Sequence, residues 1–161
     1  MINSGSPRRK ILLVEDDPHV QRAFASLLEF DGHQVHAVDN GAAALAMLEQ
    51  SKFDLVITDY LMPQLKGDEL AVLIKQSWPE QPIILASGSL GNISSYYSSI
   101  PGVDCLLNKP FSLTELREAI NWVVDLYADS RPDDAGIQAM LGRKPDEPDV
   151  SNRPRDDSNQ P

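Results

Sequence analysis

The chain of 161 residues has little cysteine and few basic side chains. Its single cysteine, Cys105, excludes an internal disulfide and fits a reducing compartment. Acidic residues outnumber basic ones by 24 to 14, which gives a formal net charge of −10. Such a balance argues against non-specific binding to nucleic acid and against attraction to an anionic membrane surface.

Long apolar runs and internal repeats are also missing from the sequence. No stretch approaches the roughly 18 apolar residues that a membrane span needs. The first ten residues, MINSGSPRRK, lack the apolar core of a secretory signal. These absences predict a cytoplasmic protein that does not bind membranes, with one domain of ordinary size.

Short apolar runs alternate with amphipathic segments over residues 8–128. The runs predict five strands, at 10–14, 34–38, 55–59, 83–87 and 105–109. The amphipathic segments predict helices at 18–30, 41–50, 67–78 and 112–127, with a weaker one within 91–103. Strands that alternate with helices are typical of right-handed βαβ units. We therefore predict an α/β fold, a doubly wound five-stranded parallel sheet with helices on both faces.

The composition changes near Asp129. Residues 129–161 hold five of the twelve prolines, many charges and only one small apolar cluster. Such a segment cannot bury enough apolar surface to form a core, so we predict a mostly disordered, acidic and proline-rich tail. We also predict a disordered N-terminus over residues 1–7. We expect no DNA-binding or enzymatic output domain after residue 129.

Polar side chains follow four of the predicted strands. They are Glu15, Asp16 and Asp17 after the first, Asp59 at the end of the third, Ser87 and Gly88 at the end of the fourth, and Lys109 at the end of the fifth. Taken singly, the three adjacent acids could form a solvated loop, and Asp59 could be a turn residue. In a doubly wound sheet, however, these strand ends form one ligand crevice.

The residue types in this crevice suit phosphoryl transfer. Clustered carboxylates repel one another and favour a hard cation, Mg²⁺ or Mn²⁺. Asp59 can then act as an oxygen nucleophile. Lys109, the Ser87 hydroxyl and backbone N–H groups can stabilise the charge on the moving phosphoryl group. Gly88 lets the backbone approach a phosphoryl oxygen closely.

The sequence resembles a response-regulator receiver domain of two-component signalling, of the single-domain, chemotaxis-regulator-like kind. The resemblance covers roughly residues 8–128 and implies a flavodoxin-like receiver fold. The motifs that carry it are LLVEDDP at 12–18, DYLMPQLKG at 59–67, ASG at 86–88 and NKPF at 108–111. Each motif is weak alone, but all four occur in the order that is usual for the family.

The resemblance implies a role for each residue of the crevice. The implied roles are Asp59 as phosphoacceptor, Asp16 and Asp59 as direct metal ligands, Glu15 as a ligand through water, the Leu61 carbonyl as a third protein ligand, and Ser87, Gly88 and Lys109 as phosphoryl-binding residues. The family's acid pair follows the last apolar residue of the strand, Val14, which leaves Asp17 to cap the next helix before Pro18. The resemblance also suggests a cis peptide before Pro110.

Two positions depart from the usual pattern of the family. Leu106 stands where a switching Tyr or Phe is usual, so the conventional aromatic switch is missing; Tyr96 or Tyr97 is a candidate substitute. Leu61 is apolar at a position that flanks the path of a hydrolytic water. The phosphorylated chain is therefore expected to lose its phosphoryl group slowly.

The resemblance implies transfer of a phosphoryl group to Asp59 from a phosphohistidine of a sensor histidine kinase or a histidine phosphotransfer protein. The output is then a contact with another protein, with homodimerisation on phosphorylation left open. Such a receiver catalyses its own phosphorylation and dephosphorylation, and we expect no metabolic activity.

Two alternatives remain for the same residues. The chain could be the receiver of a hybrid histidine kinase or a phosphorelay intermediate. It could also be an aspartyl-phosphate phosphohydrolase, although such an enzyme carries an acid two residues after its nucleophile, where this chain has Leu61.

Overall fold

The structure, a computed structural model, describes residues 7–88 and 99–128. Three segments lie outside the described residues: 1–6, 89–98 and 129–161. The predictions for the N-terminal residues and for the tail therefore lie outside the described residues, as do most of the weak helix predicted within 91–103 and both Tyr96 and Tyr97.

The described residues form five strands and four helices. In chain order they are β1 (Lys10–Val14), α1 (Pro18–Phe30), β2 (Gln34–Val38), α2 (Gly41–Gln50), β3 (Leu55–Asp59), α3 (Gly67–Ser77), β4 (Ile83–Ser87), β5 (Cys105–Asn108) and α4 (Leu113–Leu126). The strands form one parallel sheet in the order β2-β1-β3-β4-β5. The doubly wound α/β fold is therefore confirmed. None of the described helices has the length and apolar content to cross a bilayer.

Each face of the sheet is covered by two of the described helices. Successive strand residues point to opposite faces, so Ile11 and Leu13 pack with α1 and α4, while Leu12 and Val14 pack with α2 and α3. All four side chains are buried. Burial on both faces explains why the inner strands β1, β3 and β4 are nearly continuous apolar runs, whereas the edge strand β2 has no buried residue.

Side-chain hydrogen bonds cap three of the described helices, and the cap predicted at Asp17 is one of them. Asp17 accepts hydrogen bonds from the backbone N–H groups of His19 and Val20, at 2.8 and 3.1 Å, before Pro18 begins α1. These bonds lower the pKa of the Asp17 carboxyl below its ordinary value. Asn40 caps α2, and a reciprocal pair of side-chain bonds forms a capping box at the start of α4.

The apolar side chains of α1 and α3 are buried only in part. Phe24 and Leu28 of α1 are buried, but Val20 is 38% exposed because it lies in the first turn of the helix. In α3 the buried face contains Leu70 and Ile74, and Leu73, at its margin, is also 38% exposed. The apolar stripe of each helix is therefore wider than the face that it buries.

A buried histidine lies between α1 and β2. Nδ1 of His33 accepts a hydrogen bond from the backbone N–H of Arg9 at 3.3 Å, and its Nε2 lies 3.6 Å from a carboxylate oxygen of Asp31. Arg117 of α4 binds the other oxygen of Asp31. Burial lowers the pKa of His33, and the nearby charges of Arg9 and Arg117 lower it further, while Asp31 opposes the shift.

We predict that folding stability falls as the pH drops below about 6.5, the ordinary pKa of histidine. In that range the unfolded chain binds a proton at His33 that the folded chain resists, so stability rises with pH and reaches its full value above this range. One proton contributes a slope of at most about 1.4 kcal/mol per pH unit. Urea unfolding of wild type and of a His33→Gln variant at several pH values checks this. An equally steep slope in the variant would contradict the assignment to His33.

Candidate functional site

Three carboxylates meet at the carboxyl edge of the sheet, where the strand order reverses between β1 and β3. Val14 pairs with Thr58 in the register of these two strands. Glu15 and Asp16 therefore emerge beside Asp59, and one oxygen from each of the three carboxylates lies within 4.8 Å of the others. Glu15 is buried, while Asp16 and Asp59 are half-buried. A reversal point of this kind is the usual ligand crevice of doubly wound folds.

Lys109 reaches this acidic cluster from the other side of β3. Its Nζ donates to Oε2 of Glu15 at 2.7 Å and to Oδ1 of Asp59 at 2.8 Å. Burial alone would lower the pKa of Lys109, but the hydrogen bonds and charges of Asp59 and Glu15 outweigh it and raise the pKa above its ordinary value. The ammonium therefore stays charged and offsets part of the repulsion among the acids.

The backbone around Asp59 fixes the direction of its carboxylate. The N–H of Leu61 donates to Oδ2 of Asp59 at 2.9 Å, which leaves Oδ1 for Lys109. The Thr58 hydroxyl donates to the Asp59 carbonyl oxygen at 3.0 Å. Gly67, the first residue of α3, packs so tightly here that an added Cβ would lie 2.1 Å from that same oxygen. The start of α3 is therefore in direct contact with the backbone of Asp59.

Ser87 and Gly88 lie one strand further along the same edge. The residue before Ser87, Ala86, pairs with Asp59 in the register of β3 and β4. Ser87 is buried and Gly88 is exposed. The register thus places Ser87 one residue beyond the partner of Asp59, and the roles of Ser87 and Gly88 with a phosphoryl group remain predictions.

The end of β5 brings Lys109 to the same edge. Its backbone N–H donates to the Ser87 carbonyl oxygen at 2.9 Å, and the peptide bond between Lys109 and Pro110 is cis. The strand ends at Asn108, one residue earlier than predicted. Leu106 is buried within the core cluster on the side of α2 and α3.

One residue of the site was not found from sequence. Nε2 of Gln21, in α1, donates to the carbonyl oxygens of Glu15 and Val38, each at 2.9 Å. It thereby ties the loop after β1 to the end of β2 and holds the backbone of Glu15 in place. A glutamine on the first turns of a helix carries no sequence signal for such a contact.

The acidic cluster fits a hard divalent cation. It offers only carboxylate oxygens, the donors that Mg²⁺ prefers, and Glu15 and Asp59 already attract a cation in the form of Lys109. Asp16 and Asp59 are the half-buried members, and their role as direct ligands, like that of Glu15 as a ligand through water, stays a prediction. Asp17 is excluded from this set because it caps α1. The Leu61 carbonyl as a ligand stays a prediction.

Comparison with known proteins agrees with this geometry. The family model of the response regulator receiver domain matches residues 11–121. The chain is 35% identical over 108 residues to the response regulator receiver protein CpdR of Brucella abortus, covering 67% of this chain and 90% of that protein. Seven further curated relatives are longer, and the match spans only 24% to 57% of their length.

Two solved structures are similar in fold and were determined with ions. One is the response regulator TrrA of Thermotoga maritima in complex with Mg²⁺ and beryllium fluoride, with a TM-score of 0.63 and 29% identity over 71% of this chain and 98% of that one. The other is the receiver domain of the sensor histidine kinase PA1611 of Pseudomonas aeruginosa, with a magnesium ion in its active-site cleft. Its TM-score is 0.66, with 26% identity over 74% of this chain and 99% of that one.

Proposed function

The chain belongs to the response regulator receiver domain family, and from that membership we propose that it is a switch whose Asp59 accepts a phosphoryl group. The observation that carries the proposal is the contact of Lys109 Nζ with both Asp59 and Glu15 at the point where three carboxylates meet. This arrangement concentrates negative charge and supplies one cation to offset it. A transferred phosphoryl group needs the same balance.

The geometry supports a direct transfer to Oδ of Asp59. A carboxylate oxygen attacks the phosphorus of a phosphohistidine, the P–O bond forms, and the N–P bond breaks with its electron pair returning to the imidazole. Lys109 and the Ser87 hydroxyl donate to the phosphoryl oxygens, and the Leu61 N–H keeps the Asp59 carboxylate oriented. A bound Mg²⁺ or Mn²⁺ would supply positive charge to the acids and to the moving group.

The donor and output partners are proposed from membership of the family. The donor is a sensor histidine kinase or a histidine phosphotransfer protein, and phosphorylation changes the contacts of the receiver with an output protein or with a second copy. A second candidate is the receiver of a hybrid kinase or a phosphorelay step. It is favoured by the likeness to a receiver domain that belongs to a sensor histidine kinase.

The test is phosphorylation by a small donor. Wild-type protein incubated with acetyl phosphate and Mg²⁺ is expected to gain one phosphoryl group, located on the peptide that contains Asp59. Chelation of the metal with EDTA is expected to prevent the gain. A protein that stays unlabelled, or that carries its label on another peptide, would refute the proposal.

We further predict that a Leu61→Asn variant loses its phosphoryl group faster than wild type. The Leu61 side chain is 53% exposed and apolar, so it cannot orient an attacking water beside Asp59. An amide in its place can, and one hydrogen bond changes a rate by roughly twofold to tenfold. The half-life of the phosphorylated form, followed after removal of the donor, checks this. Leu61→Val is the matched control, and a wild-type half-life in Leu61→Asn would contradict the prediction.

A further inference from the structure

Gln21 of α1 binds two backbone segments beside the acidic cluster. Its Nε2 donates to the carbonyl oxygens of Glu15 and Val38, each at 2.9 Å. Its backbone N–H donates to the carbonyl oxygen of Asp17 at 2.8 Å. Carbonyl oxygens only accept, so the two contacts of the side chain fix which end of its amide faces them. Both donors of the amide are therefore used to hold backbone.

These contacts hold both chain neighbours of Asp16. The side chain of Gln21 binds the carbonyl of the peptide group that joins Glu15 to Asp16. A peptide group is planar, so a fixed carbonyl oxygen also fixes the N–H of Asp16. On the other side, the carbonyl of Asp17 accepts the first backbone hydrogen bond of α1. The direction in which the Asp16 side chain leaves the backbone is thereby restricted.

The amide of Gln21 matters more for this loop than for the sheet. The carbonyl oxygen of Val38 also accepts from the backbone N–H of Glu15, at 3.1 Å. That bond between β2 and the loop after β1 does not involve the side chain of Gln21, so it remains when the amide is removed. Loss of the amide is therefore expected to free the peptide group between Glu15 and Asp16 and to leave the strand pairing in place.

The acids on this loop need such support. Glu15 and Asp16 each bring a carboxylate oxygen within 4.8 Å of one on Asp59. Because like charges repel, carboxylates on a loose loop move apart. Mg²⁺ demands near-ideal octahedral geometry, so a displaced carboxylate binds it less well. Residues that hold the ligands of a metal ion in place contribute to its affinity for that reason.

We infer that Gln21 is a positioning residue for the divalent cation: it holds the loop of Glu15 and Asp16 so that their carboxylates are assembled before the cation binds. The inference rests on the proposed function, in which this cation takes part. Gln21 acts through the backbone of the loop and not by contact with the cation or the phosphoryl group. Its side chain therefore sets how much Mg²⁺ the receiver needs.

Two replacements of Gln21 test the inference. Gln21→Met keeps the length of the side chain and removes both donors. Gln21→Asn keeps the amide on a side chain about 1.5 Å shorter, which cannot reach the two carbonyl oxygens. Calorimetric titration with MgCl₂ is expected to give each variant a dissociation constant about twofold to tenfold higher than that of wild type, the effect of one net hydrogen bond. Gln76→Met, the same change at an exposed position of α3, is the matched control and should bind Mg²⁺ as wild type does.

The dependence of labelling on Mg²⁺ separates positioning from a general structural role. The rate of phosphoryl uptake from acetyl phosphate is measured over a range of Mg²⁺ concentrations, at a temperature where circular dichroism shows each variant to be folded. In Gln21→Met the half-saturating Mg²⁺ concentration is expected to rise by the same factor as the dissociation constant. The rate at saturating Mg²⁺ should change by less than that factor.

Wild-type affinity for Mg²⁺ in both Gln21 variants would overturn the inference, as would an equal loss of affinity in Gln76→Met. The titration contains no phosphoryl donor. A wild-type protein that binds Mg²⁺ but takes up no label at Asp59 would refute the proposed function, while the titration still decides the role of Gln21. The two failures are therefore distinguishable.

Discussion

An Asp59→Asn variant is expected to take up no phosphoryl group from acetyl phosphate and Mg²⁺. The amide keeps the shape of the side chain but has no anionic oxygen to attack phosphorus. It also removes one of the two carboxylates that Lys109 contacts, and one of the three acids of the cluster. The expected loss is complete, because the nucleophile itself is missing. Intact-mass measurement after incubation gives the extent of labelling.

Asp39→Asn is the matched control for this experiment. Asp39 is exposed and follows β2 at the same edge of the sheet, outside the cluster of Glu15, Asp16 and Asp59. Asp39→Asn also replaces a carboxylate by an amide, and this variant should take up as much phosphoryl label as the wild-type protein. Wild-type labelling of Asp59→Asn would place the acceptor elsewhere in the chain, and the proposed mechanism would then be wrong.

A Gly67→Ala variant is expected to be strongly destabilised. The added Cβ would lie 2.1 Å from the carbonyl oxygen of Asp59 and 2.7 Å from a methyl carbon of Leu85. The first contact is with backbone, so α3 or β3 must move. Overpacking of this kind costs about 3 kcal/mol. For a chain of this size that lowers Tm by roughly 10 °C, which a thermal melt followed by circular dichroism measures.

The control is the same substitution at Gly88. A Cβ there would meet Lys109 only at 4.0 Å, an ordinary van der Waals distance, so Gly88→Ala should melt close to wild type. Comparable melting temperatures for the two variants would show that the edge of the sheet accommodates a methyl group at Gly67. The tight packing between α3 and Asp59 would then have no part in holding the acceptor.

The strands and the residues that follow them could be predicted from the sequence. A parallel strand covered on both faces is a short apolar run, and all five runs begin where the structure begins its strands. Asp17, Asn40 and Ser112 cap helices through local hydrogen bonds, which depend on near neighbours in the chain. Residues at strand ends then come together because parallel strands share one carboxyl edge.

Contacts between distant segments could not be predicted in the same way. The residues around Gln21 do not indicate that its side chain donates a hydrogen bond to the backbone of Glu15. The residues around Gly67 do not indicate its close contact with the backbone of Asp59. The exposure of Val20 also depends on where α1 begins relative to the sheet. The helical spacing of its apolar residues gives no information on that position.

The ion pairs of Lys109 have a consequence for synthesis of the chain. The ammonium is supplied 94 residues after Glu15 and 50 residues after Asp59, by the loop that follows the last strand. A nascent polypeptide that has not yet reached Lys109 holds only mutually repelling acids at this edge. Under the proposed function, such a product lacks the cation that offsets these acids and is expected not to accept a phosphoryl group.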